Sequence, residues 1–289
     1  MKSAFRTVAL IGKYQTPEVA EPLLELAEYL GKRKVKVLID DLTAAQVQSG
    51  KYPASPLNEL GESADLAVVI GGDGTMLNIA RAMAPHDVPV VGVNQGRLGF
   101  LTDISTENMI QTIGAMLAGK FVTEDRMLLD GRVYRGKDRV FEALAFNDVV
   151  VSKGTKGSMI ELEFRIEGEF IYTQRSDGLI VATPTGSTAY ALSCGGPIIH
   201  PALSVIAVVP VSPHTLSNRP IVISGNSKVE IVVKDAADPR AHLDSHSRFD
   251  LRGGDRVQVR RYPRPLKLLH PIGHSYYRML REKLNWNRD

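Results

Sequence analysis

An aspartate stands among three glycines in Gly71-Gly72-Asp73-Gly74-Thr75, directly after the apolar run Leu66-Ala67-Val68-Val69-Ile70. A buried strand that ends in glycines exposes backbone N–H groups at the carboxyl end of a sheet, where phosphates and nucleotides settle in α/β proteins. Small side chains let a polyphosphate approach, and one carboxylate is left standing where it lands. Asp-Gly is also a common turn dipeptide, so a tight turn is the competing reading of these five residues taken alone.

Two later segments add polar groups in suggestive places. Asn147-Asp148 follows Phe146 and precedes Val149-Val150-Val151, which puts an amide and a carboxylate at the start of a strand. Such a pair can hold sugar hydroxyls or a base edge, and an Asx turn is the alternative. The run from Arg175-Ser176-Asp177-Gly178 through Thr183-Pro184-Thr185-Gly186-Ser187-Thr188-Ala189-Tyr190 carries an apolar strand into hydroxyls, Pro and Gly, and then into a helix start. Hydroxyls and free N–H groups at a helix N-terminus suit an anion or a ribose.

Other signals fail. No G-x-G-x-x-G occurs, which excludes an orthodox dinucleotide-binding dehydrogenase. Gly114-Ala115-Met116-Leu117-Ala118-Gly119-Lys120-Phe121 falls short of a P-loop, because Phe121 replaces the magnesium-binding hydroxyl and the run has a helical pattern. The pairs His242/His246 and His270/His274 have spacing four, but Pro271 and Gly273 divide the second and strand-like residues flank the first. Neither pair reads as two ligands on one helical face, so no dedicated metal site is expected. Cys194 beside Gly195-Gly196 reads as a small packed side chain.

The elements that must position these groups divide in two. Strand-like Thr7–Ile11, Lys34–Ile39, Asp65–Ile70 and Val88–Val93 alternate with helical Pro17–Leu30, Leu57–Gly61 and Met76–Met83, with a loop holding Pro53 and Pro56 before the second helix. That alternation implies a parallel sheet covered on both faces. Thr106–Leu117 reads as a helix. From Leu128 onward short strands dominate, with a hairpin at Glu167-Gly168 and further strands at Leu179–Thr183, Val205–Val209, Pro220–Ile223, Val229–Lys234, Arg256–Arg261 and Leu266–Leu269. The expectation is a Rossmann-like α/β domain over 1–125 and a mostly antiparallel, β-sandwich-like domain over 126–270, with a helical tail over 271–289 returning to the first.

The chain has 289 residues, 44% of them hydrophobic and 23% charged, as in an ordinary soluble protein. One cysteine excludes an intramolecular disulfide framework and suits a reducing compartment. The amino terminus lacks the plan of a secretory signal, and no apolar run approaches the ~18–20 residues of a membrane span. A cytoplasmic protein without membrane association is expected. The net charge of +3 is too small to argue for nucleic acid, and the basic residues Arg256, Arg260, Arg261, Arg264 and Lys267 alternate with apolar ones as on a solvated strand face.

Taken in order, Gly71–Thr75, Asn147-Asp148 and the Asp177–Tyr190 run resemble the NAD kinase family over nearly the whole chain, and look closest to the proteobacterial enzymes. The glycine segment alone also occurs in the wider superfamily of diacylglycerol and sphingosine kinases and resembles phosphofructokinase. Gly99-Phe100-Leu101-Thr102 and Pro213-His214-Thr215-Leu216 strengthen the narrower match. The resemblance implies ATP-dependent phosphorylation of the 2′-hydroxyl of the adenosine ribose of NAD, with Mg2+ or another divalent cation arriving with ATP, in a homo-oligomer of two or four chains. It assigns Asp73 as general base and Gly71, Gly72, Gly74 and Thr75 to the ATP phosphates. Asp73, Gly74, Asn147, Asp148, Ser158, Arg175, Asp177, Thr188, Ala189, Tyr190, Ser193 and His246 would touch NAD, with Arg175 linked to preference for NAD over NADH. His246 stands where related bacterial enzymes carry glutamine, and Ser158 where relatives often have a longer polar side chain. A superfamily kinase for a lipid or sugar, and a non-catalytic NAD(P)-binding sensor, are the alternative readings.

Overall fold

The computed structural model describes residues 3–13, 15–47, 50–96, 99–154, 159–215 and 217–286. Their contacts separate two units, Met1–Asp125 with Leu266–Asp289, and Arg126–Pro265.

In the first unit the sheet runs in the order Ala54–Ser55, Lys36–Asp40, Thr7–Gly12, Leu66–Ile70, Val90–Asn94, Leu266–Pro271, Phe121–Arg126, with Ile104–Ser105 beside Val90–Asn94. The central pairings are parallel. Alternate strand residues (Val8, Leu10, Val68, Ile70, Val91, Val93) share one core with Leu23, Leu26, Ala27 and Leu30 of the Ala20–Lys32 helix and with Met109, Ile113 and Met116 of Met109–Leu117. The residues between them, Ala9, Ala67 and Val69, are also fully buried, as a parallel sheet covered on both faces requires.

Two features depart from the sequence reading. Asp41–Val47 is a helix where a loop was expected. Its polar sequence hides the period, and Asp40 starts it by accepting from the Thr43 N–H (3.0 Å) and hydroxyl (2.9 Å). Leu266–Leu269 was expected to close the β domain, yet the strand runs Leu266–Pro271 and lies in the parallel sheet, with Leu268 opposite Val90. A six-residue apolar strand carries no mark of which sheet it joins. After it, Tyr276–Leu284 is helical, capped by the Ser275 hydroxyl, which accepts from the Arg278 N–H.

The second unit consists of two six-stranded antiparallel sheets. One orders Ile221–Ser224, Val205–Val211, Gly178–Ala182, Asp148–Lys153, Pro239–Leu243 and Ser247–Asp250. The other orders Glu169–Ser176, Ile160–Ile166, Val229–Asp235, Arg256–Arg261, Leu129–Arg135 and Asp138–Ala145. Their inner residues, among them Val149, Val151, Leu179, Val181, Leu162, Phe164, Ile231 and Val257, form a common core, which makes the unit a β-sandwich. The hairpin at Glu167-Gly168 is present, both residues having positive φ.

Candidate active site

The glycine segment sits where the strand order reverses. From Thr7–Gly12 the chain moves to Lys36–Asp40 on one side and returns as Leu66–Ile70 on the other. Outside the carboxyl ends of strands at such a switch point, open α/β sheets bind their ligands. Here the Lys13 N–H donates to the Ile70 carbonyl and the Gly71 N–H to the Val93 carbonyl, each at 2.8 Å. The helix Asp73–Met83 follows at once, so Asp73 lies in its first turn, where the helix dipole favours a carboxylate.

Three donors fix that carboxylate. Asp73 Oδ2 accepts from the Phe100 N–H (2.8 Å), while Oδ1 accepts from the Leu101 N–H (3.1 Å) and the Thr102 hydroxyl (3.2 Å). The fully buried Thr102 is itself braced by Asn94, whose Nδ2 donates to its hydroxyl at 2.7 Å. Gly99 makes the approach possible, since a Cβ there would lie 1.9 Å from Asp73 Oδ1. Gly72 and Gly74 differ. A Cβ at either would meet nothing within 4 Å, so packing within the chain does not demand glycine at these two positions.

A second constellation occupies the sandwich. The N–H groups of Phe146, Asn147 and Asp148 all donate to the Asp244 carboxylate, at 2.6, 2.7 and 3.1 Å, and the Asp244 N–H returns a bond to the Asp148 carbonyl. Asp244 and Ser245 both have positive φ, so the chain reverses tightly there and the carboxylate turns inward. Asp148 is buried, and that burial, with the Asp244 charge beside it, pushes its carboxyl up to about 7. Tyr190 and Cys194 hydrogen-bond each other within the field of Asp148; burial raises both their pKa values above the ordinary range. Asp177, which also faces Tyr190, pairs with Lys153 Nζ at 2.6 Å.

The hydroxyl-rich run largely folds itself. The Thr183 hydroxyl donates to the Phe146 carbonyl (2.7 Å) and accepts from the Gly186 N–H (3.0 Å). Ser187 donates to the Pro184 carbonyl at 2.6 Å and accepts from the Ile199 N–H at 3.0 Å. Thr188 donates to the Thr185 carbonyl. Gly186 packs on Asn147, whose carbonyl oxygen would be 2.1 Å from a Cβ. The expected helix start is a 3-10 turn, Gly186–Thr188, followed by the single turn Tyr190–Ser193.

The structure thus gathers Asn147, Asp148, Asp177 and Tyr190 into one neighbourhood and places Thr188 and Ala189, both half-buried, just before Tyr190. Ser193 is exposed at the end of its turn, and Arg175 is exposed with its carbonyl accepting from the His214 N–H. His246 is exposed with Nδ1 2.8 Å from the Asp244 carbonyl. Ser158 lies outside the described residues. Sequence reasoning missed Asp244 and the Asn94–Thr102 brace. It also missed that His270 and His274 stack, with ring centres 3.8 Å apart, around Asp103. For Asp244 a local signal exists, Asp-Ser at the end of the alternating strand Pro239–Leu243, but nothing local names its partners.

The ATP-NAD kinase N-terminal domain matches residues 8–121 and the ATP-NAD kinase C-terminal domain residues 146–271. The chain belongs to the NAD kinase family. It is therefore a phosphotransferase. An NAD kinase of Nitrosospira multiformis is 59% identical over 287 residues, covering 99% of this chain and 98% of the relative. An NAD kinase of Aromatoleum aromaticum is 54% identical over 288 residues, covering 99% and 96%. Among solved structures, yeast NADH kinase complexed with NADH aligns with a TM-score of 0.90 at 25% identity, covering 98% of this chain and 89% of the other. An NAD kinase from Archaeoglobus fulgidus in complex with ATP aligns with a TM-score of 0.75 at 26% identity, covering 96% and 98%. Both structural neighbours share the parallel α/β unit followed by the antiparallel one. Among the described residues no helix of this family member is long and apolar enough to cross a membrane.

Proposed function

We propose that this enzyme transfers the γ-phosphoryl group of ATP to the 2′-hydroxyl of the adenosine ribose of NAD, giving NADP. The observation that carries the reading is the Asp73 carboxylate, fixed by three donors at the switch point and flanked by Gly72 and Gly74. Where packing inside the chain does not call for glycine, close approach of a polyphosphate does. Gly71, Gly72, Gly74 and Thr75 are assigned to the ATP phosphates.

Asp73 acts as the general base. A carboxylate is weakly basic toward a sugar hydroxyl, and its hydrogen bonds to the Gly99–Thr102 loop fix where it points. Its work is therefore to orient the hydroxyl and accept the proton late, while positioning and electrostatics supply most of the acceleration. Asn147, Asp148, Asp177, Thr188, Ala189, Tyr190 and Ser193 hold the dinucleotide, the carboxylates accepting from hydroxyl or amide donors and Tyr190 offering a ring face. Arg175 and His246 contribute at its edge, and the resemblance alone assigns Ser158.

ATP is taken as its complex with Mg2+ or a similar cation, which neutralises phosphate charge. Among the described residues the one close group of three His, Cys, Asp or Glu side chains is Asp103–His270–His274. Two imidazoles do not suit magnesium, so the cation is held mainly by the phosphates. The resemblance further supports a dimer or tetramer, and the single cysteine supports a reducing compartment such as the cytoplasm.

The test is NADP formation by purified protein from NAD, ATP and magnesium, read with an NADP-specific dehydrogenase, alongside NADH as acceptor. Phosphorylation of NAD with poor use of NADH is expected. No NADP despite calorimetric NAD binding would favour the sensor reading. Equal rates with NADH would remove the role given to Arg175.

A further inference from the structure

The loop that holds Asp73 is itself held. Asp103 directly follows Thr102, and its Oδ2 lies 2.8 Å from Nδ1 of His270 and 2.8 Å from Nδ1 of His274. Nε2 of His270 lies 3.0 Å from Glu124 Oε2. The Asp103 side chain is 6% exposed and that of His270 1%, in the interior of the first unit. Burial alone would raise the Asp103 carboxyl, but the bonds from His270 and His274 outweigh it and hold the value at about 2. It is an anion at every working pH, so both Nδ1 atoms donate to it. The Nε2 of His270 faces a second carboxylate, so that ring spans Asp103 and Glu124.

A metal ion is the other chemistry that two imidazoles and a carboxylate offer. Two imidazoles beside each other on one ion, with bonds of about 2.1 Å, would keep their ring centres about 4.5 Å apart or more. The observed 3.8 Å with an interplanar angle of 19° is a face-to-face stack. Nearly parallel rings this close hold their Nδ1 atoms side by side and off the tetrahedral directions of one ion, whereas two ring N–H groups sharing one carboxylate oxygen fit the geometry.

We propose that Asp103, His270 and His274 are positioning residues, a clamp by which the carboxyl-terminal strand and the turn after it fix the Gly99–Thr102 loop and, through that loop, the Asp73 carboxylate. The connection is short. Leu101 and Thr102, the two residues before Asp103, supply two of the three donors to Asp73. Displacing Asp103 moves those donors and misaims the carboxylate, and misplacement of about 1 Å in a reacting group can cost ~100-fold in rate. The consequence for catalysis rests on the role proposed for Asp73; the clamp itself does not.

The test compares the full-length wild type with His274→Phe, which keeps a stacked ring without the donor, and His274→Asn, whose Nδ2 can replace Nδ1. Asp103→Asn is the third variant. In His274→Phe, kcat should fall at least ~10-fold with KM for NAD within about twofold, and His274→Asn should restore most of it. Hydrogen exchange at the Phe100 and Leu101 amides should quicken in both His274→Phe and Asp103→Asn, a result independent of any activity. Wild-type kcat and wild-type exchange at those amides in His274→Phe, with only a lowered melting temperature, would reduce the cluster to a structural contact and overturn the proposal. Stoichiometric binding of Co2+ that His274→Phe abolishes would also overturn it, in favour of a metal site. A wild type that forms no NADP but shows the exchange differences would keep the clamp and defeat only the kinase assignment of Asp73.

Discussion

Replacing Asp148 by Asn should change how stability depends on pH. The Asp148 carboxyl is pushed by burial, and then by the Asp244 charge, from 3.8 to about 7. For an acid whose folded pKa is raised, the folded chain holds the proton more tightly. Stability from this group is then full below about pH 3.8 and is lost as pH rises to about 7. About two of the three units fall between pH 5 and 7, which is up to about 3 kcal/mol. At ~2–4 °C per kcal/mol, the melting temperature would drop by roughly 6–12 °C from pH 5 to pH 8 on this account. Other groups have to be separated from it, among them Asp40, whose carboxyl burial also raises and which is unchanged in the variant. Asp103, held at about 2, loses its contribution only as pH falls below 3.8, outside the window. His242 is depressed below 6.5 by burial, with help from Arg248 and Arg240, so its effect runs in the opposite direction as pH rises. Both remain in Asp148→Asn and cancel in the comparison. Urea and thermal unfolding of both proteins at pH 5 and pH 8, followed by circular dichroism, should show the amide variant gaining relative stability at pH 8. Equal pH dependence in the two proteins would refute the coupling of burial to Asp148 ionisation.

Gly99→Ala should expel the Asp73 carboxylate, because the new methyl would overlap Oδ1, and kcat should fall about 100-fold with little change in KM for NAD. Unchanged turnover would show that the hydrogen-bonded pose of Asp73 is not the working one. Asp244→Ala would leave the Phe146, Asn147 and Asp148 N–H groups without their acceptor, and about 3–9 kcal/mol should be lost at ~1–3 kcal/mol for each N–H left unsatisfied. A lowered urea midpoint and weaker NAD binding by calorimetry check this, and a midpoint within error of the wild type contradicts it.

What the sequence made legible was local. Val68-Val69-Ile70 running into glycines placed Asp73 at the carboxyl end of the sheet, and the change from helical to alternating pattern separated the α/β unit from the sandwich. The unread parts depend on distant partners. Asp244 reaches its N–H donors across 96 to 98 residues, and His270 reaches Asp103 across 167. Spacing four suggested a helical pair for His270 and His274, and Pro271 and Gly273 rightly excluded the helix. Dismissing the pair followed from testing only that geometry, whereas a strand end and the next turn can stack two rings as well. Leu266–Pro271 was misplaced for a related reason: strand period says that a face is buried, not against which sheet.

The central claim is that Asp73, held by the Gly99–Thr102 loop, is the base in ATP-dependent phosphorylation of NAD. The most direct measurement is the turnover of NAD to NADP by Asp73→Asn beside the wild type, with NAD affinity measured calorimetrically on the same samples. The isosteric amide keeps one accepting oxygen, for the Leu101 N–H and the Thr102 hydroxyl, gives up the bond from the Phe100 N–H and takes no proton, so kcat should fall about 100-fold or more while NAD affinity stays within a few-fold. NADP formation by Asp73→Asn at the wild-type rate would contradict the account.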